Sequence, residues 1–355
     1  MKVLSLFDGM ACGMLAMQKA GIEVDCYVAY EIDKYAVQTS SHNFPMIEHR
    51  GDVFQADFTE FTGFDFLIGG SPCTYWSIAQ KNNRETVASG MGWELFSQYV
   101  RALHESQPRY FIYENNKSMS NAIRESITET FGFEPICINS ALVSAQNRQR
   151  LYWVGKRNPD GTYSKVNVEL PEDRGILLCD VLDGLADQKK SYPVLCSIGR
   201  TTVREYYTKS QGAMAIEPVG IGYRGRTENG KWVKRFESNG EPKANALTTC
   251  QNDSMVGIPI YEVKNGMITI KDKQFPIKLP DGFYIIRKLT VMECMRLQTV
   301  PEWYEFPVSD SQAFKMLGNG WTVDVIEHLI SATQTEQTVE EQMDLFSVGD
   351  YRCMN

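Results

Sequence analysis

Cys73 is the residue of this sequence whose position best suits a nucleophile. The apolar run at residues 66–68 predicts a buried strand, Gly69 and Gly70 end it, and Pro72 precedes the cysteine. Because proline fixes its own φ and biases the preceding residue toward extended geometry, the backbone that presents the thiol is stiff. The alternative is a buried structural cysteine, which is the usual state of a free thiol. We interpret Cys73 as a candidate nucleophile at the edge of a sheet.

A carboxyl group and two guanidinium groups lie at the ends of two further predicted strands. The run at residues 110–113 predicts a buried strand that ends at Glu114. Arg148 and Arg150 precede a strand over 151–155, and alternation along that strand directs both arginines to the same side. A carboxyl group in a dry pocket can act as an acid, and a nearby cation lowers the pKa of a thiol. These side chains are candidates for catalysis together with the cysteine.

Glycines and acidic residues at the ends of the first three predicted strands indicate a nucleotide-like ligand. A strand over 2–7 is followed by a glycine-bearing turn at 8–13 and a helix over 14–20. The next strand ends at Glu31, where folds of this type hold ribose hydroxyls, and Gly51-Asp52 follows the third. A packing turn or a helix cap would explain each feature taken alone. Three such features in series favour an adenosine-binding edge.

Strands alternate with helices along most of the chain, which predicts an α/β fold with a doubly wound, largely parallel sheet. Helices are predicted over 92–106 and 121–131, and Thr290 with Glu293 predicts a capping box. Gly318–Gly320 is expected to open the last helix, over 322–330. The sequence predicts three divisions of the chain. Residues 1–188 together with 284–333 form a catalytic and cofactor-binding domain. Residues 189–283 form a smaller, mostly β or irregular domain, and residues 334–355 form a mobile acidic tail.

Composition excludes several classes of protein. A hydrophobic content of 43% and a charged content of 23% are ordinary for a globular protein, and the sequence has no apolar run of about 18 residues. The 9 cysteines include no C-x-x-C pair, and the 4 histidines have no metal-ligand spacing. These patterns predict no zinc site, no disulfide framework and a reducing compartment. The net charge of −8 excludes a protein that coats nucleic acid by bulk charge, although a local basic cleft remains compatible with it.

Lysines and arginines outnumber the acidic residues between residues 189 and 283, and aromatic residues are interleaved with them. A solvated positive face is the usual explanation of such a run of charge. Aromatic side chains among cations favour contact with nucleic acid. We therefore expect residues 189–283 to contact a nucleic acid.

The order of these motifs resembles that of the DNA (cytosine-5) methyltransferase family, over nearly the whole chain. The motifs that carry the resemblance are LSLFDGMACG, the strand ending in Glu31, Gly51-Asp52, GGSPCTYWS, YENN, QNRQRLYWVG, RKLTVMECMRLQTVP and LGNGW. The resemblance implies a Rossmann-like methyltransferase sheet, with residues 189–283 as a target-recognition domain.

Three groups of residues receive roles from this resemblance, and no metal is expected. The residues that would bind S-adenosylmethionine, with S-adenosylhomocysteine as the product, are Phe7, Asp8, Gly9, Gly13, Glu31, Asp52 and Asn319. The residues that would be catalytic are Cys73, Glu114, Arg148 and Arg150. The residues that would contact the substrate are Pro72, Ser77, Asn115, Gln146, Thr248 and Thr249.

The implied reaction is methyl transfer to carbon 5 of a flipped-out cytosine in a specific duplex sequence, through a covalent adduct with Cys73. Two alternatives stay open: an RNA (tRNA) cytosine-5 methyltransferase, and a DNA-binding homologue that has lost catalysis. A nicotinamide oxidoreductase is disfavoured, because the first turn lacks G-x-G-x-x-G.

The sequence departs from the family pattern at three places. The first turn has the form FDGMACG, Asn116 stands where an aliphatic residue is usual, and Trp321 replaces part of a small-residue-plus-valine pair. Asn116 and Trp321 affect the expected shape of the cofactor and base pockets.

The expected partner is double-stranded DNA, and a cognate restriction-modification system is compatible with the family. We expect a monomer in the cytoplasm of a bacterial or phage-infected cell, without membrane association. Gln342–Phe346 resembles the peptide by which bacterial proteins dock on the sliding clamp. The alternative is that Leu345 and Phe346 pack back onto the domain.

Overall fold

The main sheet has eight strands. The structure is a computed structural model that describes residues 1–77, 84–184, 186, 189–194, 196, 198–209, 214–218, 221–228, 231–238, 260–270 and 272–335. The strands of the main sheet are β1 (Lys2–Leu6), β2 (Cys26–Tyr30), β3 (Glu48–His49), β4 (Phe66–Gly69), β5 (Tyr110–Asn116), β6 (Ile136–Asn139), β7 (Gln149–Arg157) and β8 (Tyr163–Lys165).

The strand order is β3-β2-β1-β4-β5-β7-β6, with β8 paired to β7. The first five strands in this order are parallel, and the order reverses between β1 and β4. In an open α/β sheet, such a reversal leaves a crevice at the carboxyl ends of the two strands. The predicted doubly wound α/β fold is confirmed, and the crevice is where a ligand is expected.

The sheet departs from the expected parallel arrangement at one edge, because β7 is antiparallel to β5, β6 and β8. The connection from β6 to β7 contains only a short 3₁₀ turn at Ser140–Leu142. Parallel strands need a crossover of a dozen or more residues, so this connection produces an antiparallel pair.

Both faces of the sheet are buried, and alternation along each strand divides the side chains between them. Val3, Phe66 and Ile68 belong to the hydrophobic cluster on one face. Leu4 and Leu67 belong to the cluster on the other face. Because helices cover both faces of the sheet, the strands appear in the sequence as almost continuous apolar runs.

Eight helices accompany the strands in the part of the chain that the structure describes. They are α1 (Cys12–Lys19), α2 (Lys34–Asn43), α3 (Met91–Ser106), α4 (Asn121–Phe131), α5 (Val203–Lys209), α6 (Val291–Leu297), α7 (Asp310–Asn319) and α8 (323–335).

Local capping explains the helix boundaries that the sequence predicted well. The Ser120 hydroxyl accepts a hydrogen bond from Ile123 N at 3.3 Å, and Gly132 ends α4 in the left-handed region. The capping box predicted at α6 is confirmed, since Thr290 Oγ1 accepts from Glu293 N and the Glu293 carboxylate accepts from Thr290 N.

The prediction that Gly318–Gly320 opens the last helix was wrong. Gly318 and Asn319 are the last residues of α7, and α8 begins at residue 323. The backbone is extended at Gly320, with φ −67° and ψ 166°, so the helix cannot continue through it. The chain therefore makes a short link between α7 and α8, and this link reaches the sheet edge.

The seven described strands after residue 210 all lie outside the main sheet. Antiparallel pairing in the order β14-β13-β12-β15-β9 forms a five-stranded sheet, and β10 pairs with β11. These strands are β9 (Met214–Pro218), β10 (Ile221–Glu228), β11 (Lys231–Ser238), β12 (Ile260–Lys264), β13 (Met267–Ile270), β14 (Lys273–Pro276) and β15 (Gly282–Lys288). The five-stranded sheet has its own hydrophobic cluster, which includes Ile216, Ile268 and Ile286.

Three sequence predictions fall on residues outside the described ranges. They concern Thr248, Thr249 and the segment Gln342–Phe346. Among the described residues, no helix is both long and apolar enough to cross a bilayer. The same part of the chain contains no group of three or more side chains arranged as metal ligands.

Candidate active site

A cavity of about 220 Å³ lies where the carboxyl ends of β1, β4 and β5 meet the link between α7 and α8. Eight residues predicted to bind cofactor or to catalyse, and several others, line it. The lining residues are Phe7, Asp8, Gly9, Cys12, Glu31, Asp33, Ala36, Gly70, Ser71, Pro72, Thr74, Glu114, Arg148, Arg150, Lys315, Met316, Asn319, Gly320 and Trp321.

The turn after β1 is tightly wound and is tied to β2 by a carboxylate. Phe7, Gly9 and Ala11 have φ values of 57°, 60° and 60°, which is the left-handed region. Glu31 Oε2 accepts a hydrogen bond from Gly9 N at 2.9 Å, and its Oε1 accepts from Asp33 N at 2.7 Å. Backbone N–H donors therefore fix the Glu31 carboxylate in the cavity wall, where the sequence predicted a ribose-binding group.

Asp8 carries a buried carboxyl oxygen that lacks a hydrogen-bond partner in the described part of the chain. Its Oδ1 accepts from Ser5 Oγ at 2.6 Å and from Tyr27 Oη at 2.7 Å, whereas Oδ2 accepts from nothing. The pKa of this carboxyl is raised from 3.8 to about 6. Burial is the main cause of the rise and the nearby charge of Glu31 adds to it, whereas the hydrogen bonds from Ser5 and Tyr27 oppose it. A buried polar atom of this kind suits a ligand that donates a hydrogen bond or carries positive charge.

Asp8→Asn is expected to stabilise the protein at pH 8 but not at pH 4. The raised pKa means that the native state favours protonated Asp8; this contribution is complete below pH 3.8 and is lost as the pH rises through about 6. At pH 8 the ionised carboxylate costs roughly 3 kcal/mol, which asparagine removes. Urea denaturation at both pH values measures the difference. An equal change in unfolding free energy at pH 4 and pH 8 would contradict the prediction.

The turn that carries Cys73 follows Pro72 at the cavity wall. Cys73 begins a 3₁₀ turn that ends at Tyr75, and its side chain lies outside the described part of the structure. Asn115 Nδ2 donates to Ser71 O at 3.1 Å, which joins the exit of β4 to the end of β5. Pro72 and Thr74, the neighbours of Cys73 in sequence, therefore line the same cavity as Glu114. The buried Asn115 side chain joins the two strand ends that carry them.

Glu114 lies between two hydrogen-bond donors. Its Oε1 is 3.0 Å from Arg150 Nε, and its Oε2 accepts from Trp321 Nε1 at 2.9 Å. The Glu114 and Arg150 side chains are only 12% and 16% exposed, so the ion pair is largely shielded from water. The contact with Trp321 joins residues far apart in sequence, and only the departure of LGNGW from the family pattern marked this position.

Arg148 lines the same cavity but holds the surrounding backbone together. It is 4% exposed, and its guanidinium donates to Val194 O at 3.1 Å, Gly318 O at 3.1 Å and Gly320 O at 2.9 Å. The predicted catalytic role of Arg148 stays a prediction. The contacts show that this side chain anchors the link between α7 and α8.

Arg148→Ala is expected to lower the free energy of unfolding by about 3 kcal/mol, because the buried Val194 O and Gly318 O lose the Arg148 donor and Gly320 O keeps only the 3.4 Å contact from Gln298 Nε2. Urea denaturation of the purified variant measures the loss. Arg200→Ala is the matched control, since the Arg200 side chain is exposed. A change no larger than that of the control would show that the three carbonyl contacts are dispensable.

Several predicted site residues lie outside the cavity lining. Gln146 is fully buried and bonds to Leu297 O at 2.8 Å and to Val194 N at 2.8 Å. Asp52 accepts from Phe54 N at 3.0 Å and caps a 3₁₀ turn. Ser77 follows the turn that begins at Cys73 and does not line the cavity.

Gly13 is the remaining predicted cofactor residue that does not line the cavity. A Cβ at this position would lie 2.3 Å from Ile68 Cδ1 and 2.8 Å from Tyr27 Oη. The glycine therefore allows α1 to pack closely on β2 and β4, which positions the turn that forms the wall.

Sequence reasoning missed two further pairs in the cavity wall. Lys315 Nζ donates to Asp33 Oδ2 at 2.6 Å, which links α7 to the start of α2. Cys12 lies beneath Gly320, where an added Cβ would be 3.2 Å from its sulfur. Both contacts cross long stretches of sequence, so no local pattern indicates them.

Residues 1–335 match the family described as C-5 cytosine-specific DNA methylase. The orphan methyltransferase M.SPRI of Bacillus phage SPR is 34% identical, over 93% of this chain and 96% of that protein. The type II methyltransferase M1.ScrFI of Lactococcus lactis subsp. cremoris is 28% identical, over 94% of this chain and 78% of that protein.

Solved structures share the fold. The methyltransferase EhMeth of Entamoeba histolytica has a TM-score of 0.59 at 12% identity, over 95% of this chain and 98% of that one. DNMT2 of Spodoptera frugiperda has a TM-score of 0.57 at 16% identity, over 93% of this chain and 98% of that one.

Proposed function

Since this chain belongs to the C-5 cytosine-specific DNA methylase family and is a DNA cytosine-5 methyltransferase, we propose that it methylates a cytosine flipped out of duplex DNA, through a covalent adduct with Cys73. One observation supports this proposal most strongly. The Glu114 carboxyl, paired with Arg150, lies at the cavity to which Pro72 and the Cys73 turn belong.

The residues of the cavity fit S-adenosylmethionine. Among the described residues, Asp8 Oδ2 is a buried acceptor without a partner, and Glu31 offers a fixed carboxylate at the end of the neighbouring strand β2. Phe7, Gly9 and Asn319 line the same wall. We propose that these five residues hold the cofactor, with Asp52 and Gly13 supporting the wall from outside. When bound, S-adenosylmethionine supplies an electrophilic methyl group on a positively charged sulfur.

Cys73 is proposed to attack carbon 6 of the target cytosine as a thiolate. The new carbon–sulfur bond makes carbon 5 nucleophilic, because the electron pair of the ring double bond moves toward it. After the methyl group is transferred, water takes the proton from carbon 5, the electrons of that bond restore the ring double bond, and the Cys73 thiolate leaves. Ring nitrogen 3 returns its proton to Glu114. Glu114, Arg150 and Arg148, which line the same cavity, are proposed to orient and neutralise the ring.

Glu114 is proposed to hydrogen-bond ring nitrogen 3 of the cytosine and to donate a proton there as charge develops on the ring. Arg150 contacts Glu114 Oε1 and lines the cavity, which suits a role beside the base or its phosphate. Pro72, next to the nucleophile, would shape the base pocket.

The base must leave the duplex before it can react, because its carbon 6 is inaccessible within the stack. We propose that residues 189–283, including the five-stranded sheet and its neighbours Thr248 and Thr249 in sequence, recognise the target DNA. The lysine and arginine content of this region would supply the phosphate contacts that offset the cost of unstacking.

Incubation of the purified protein with tritiated S-adenosylmethionine tests the proposal. Duplex DNA should take up label at cytosine, whereas tRNA should take up none, and bisulfite sequencing of DNA from an expressing strain should reveal one methylated sequence. Label in tRNA but not in duplex DNA would overturn the substrate. Label in duplex DNA on adenine would overturn the chemistry.

A further inference from the structure

Trp321 contacts the side chain that the proposed function assigns as the acid. Its indole Nε1 donates to Glu114 Oε2 at 2.9 Å, and both side chains line the cavity. We propose that Trp321 is a positioning residue, which fixes the orientation of the Glu114 carboxyl toward the target base. This inference rests on the proposed function of Glu114 and goes further, because it assigns a role to a residue outside the predicted site.

The backbone that carries Trp321 is held from several sides. Gly320 O, the carbonyl before it, accepts from Arg148 Nη2 at 2.9 Å. Thr322 Oγ1, on the residue after it, lies 2.9 Å from Gln298 Oε1 and 2.8 Å from Ser140 Oγ. Since buried groups fix both neighbours, the indole is presented from a rigid link, and its N–H direction is set before any ligand binds.

Gly70 leaves the space in which the indole and the carboxylate meet. A Cβ at this position would lie 2.8 Å from Glu114 Oε2 and 2.9 Å from Glu114 O, which is too close for a real contact. It would also lie 3.5 Å from Trp321 Nε1. The contact therefore depends on three positions that different parts of the chain supply.

The two partners of Glu114 contact different oxygens of its carboxyl group. Arg150 Nε contacts Oε1 and brings a positive charge, whereas Trp321 contacts Oε2 and brings none. Each oxygen keeps a second lone pair for the base. Arginine and tryptophan have donors and no acceptor, so neither can take a proton from Glu114. A proton on Glu114 is thus directed to an acceptor on the substrate, such as ring nitrogen 3.

The sharpest test removes only the N–H. Site-specific replacement of Trp321 by β-(3-benzothienyl)alanine keeps the bicyclic shape and puts sulfur in place of N–H. We expect single-turnover methyl transfer to duplex DNA to slow by about tenfold to a hundredfold, the effect of losing a hydrogen bond to a charged group. The dissociation constant for S-adenosylhomocysteine, measured by calorimetry, should change by less than about threefold. Gly70→Ala, which disrupts the same contact from the other side, should slow the reaction similarly.

A double-mutant cycle separates positioning from general support of the cavity. In a Glu114→Gln background, the same replacement at Trp321 should cause little further loss of rate, because the carboxyl that it orients is gone. Equal losses in both backgrounds, or a full rate with the benzothienyl side chain in the native background, would overturn the inference. Trp303→Phe is the matched control, since Trp303 is 55% exposed and outside the cavity lining, and it should leave the rate unchanged.

The same cycle reports separately on the proposed function. A Glu114→Gln protein with the native rate would show that Glu114 is not the acid, whatever the result at Trp321. A slow Glu114→Gln protein combined with a fast benzothienyl variant would leave the proposed function standing and reject the positioning role alone.

Discussion

Cys73→Ala is expected to abolish methyl transfer, with a loss of rate on the order of 10⁴-fold or more, because no other group replaces a nucleophile that forms a covalent bond. Binding of duplex DNA and of S-adenosylhomocysteine should survive, since alanine removes only the thiol. The measurements are single-turnover methyl transfer, the two binding constants, and trapping of a covalent complex on 5-fluorocytosine DNA. The native protein should form that complex, and the variant should not.

Cys12 is the rival thiol in the same cavity. Burial raises the pKa of Cys12 to about 12, so almost none of it is thiolate at neutral pH. A covalent complex that persists in Cys73→Ala protein would mean that Cys12 or another cysteine is the nucleophile, and would overturn the assignment. Cys179→Ala, at an exposed position, is the control and should retain the native rate.

Glu114→Gln is expected to slow methyl transfer by about 10²- to 10⁴-fold, the usual range for the loss of a general acid. Glutamine has nearly the same shape, but its single amide oxygen can replace only one of the two acceptors that Arg150 and Trp321 contact, and its NH₂ group cannot donate a carboxylic proton. The loss should therefore appear in the rate of the chemical step, with little change in DNA affinity. Single-turnover kinetics and DNA titration separate the two quantities.

Glu125→Gln provides the control for this change, because Glu125 lies exposed on α4. A native rate for the Glu114 variant would remove the carboxyl from the mechanism. A loss confined to DNA affinity would reassign Glu114 to binding.

The elements that carry strong local patterns were predictable from the sequence. The apolar run before Cys73 indicated β4 because parallel strands are buried on both faces, and Ser120 with Gly132 bounds α4 as capping preferences require. Spacing along the strands also placed Glu31 and Glu114 at predicted strand ends, and the family resemblance supplied their expected roles. Both residues line the same cavity.

Contacts between distant segments could not be predicted in the same way. The hydrogen bond from Trp321 to Glu114 joins residues 207 positions apart, and its direction depends on the extended backbone at Gly320. The antiparallel pairing of β7 follows from a short connection that the sequence pattern did not distinguish from a crossover. Arg148 illustrates the same difficulty, because its three acceptors lie on segments that only the folded chain brings together.

The unsatisfied oxygen of Asp8 has a consequence for the life of the protein in the cell. A ligand that donates a hydrogen bond to this oxygen binds only the folded state, so the ligand-free protein unfolds more often than the ligand-bound protein. Proteases act on the opened chain, and a difference of one or two kcal/mol changes steady-state abundance several-fold. If Asp8 holds the methyl donor as proposed, the supply of that donor is expected to influence how many copies of the enzyme persist.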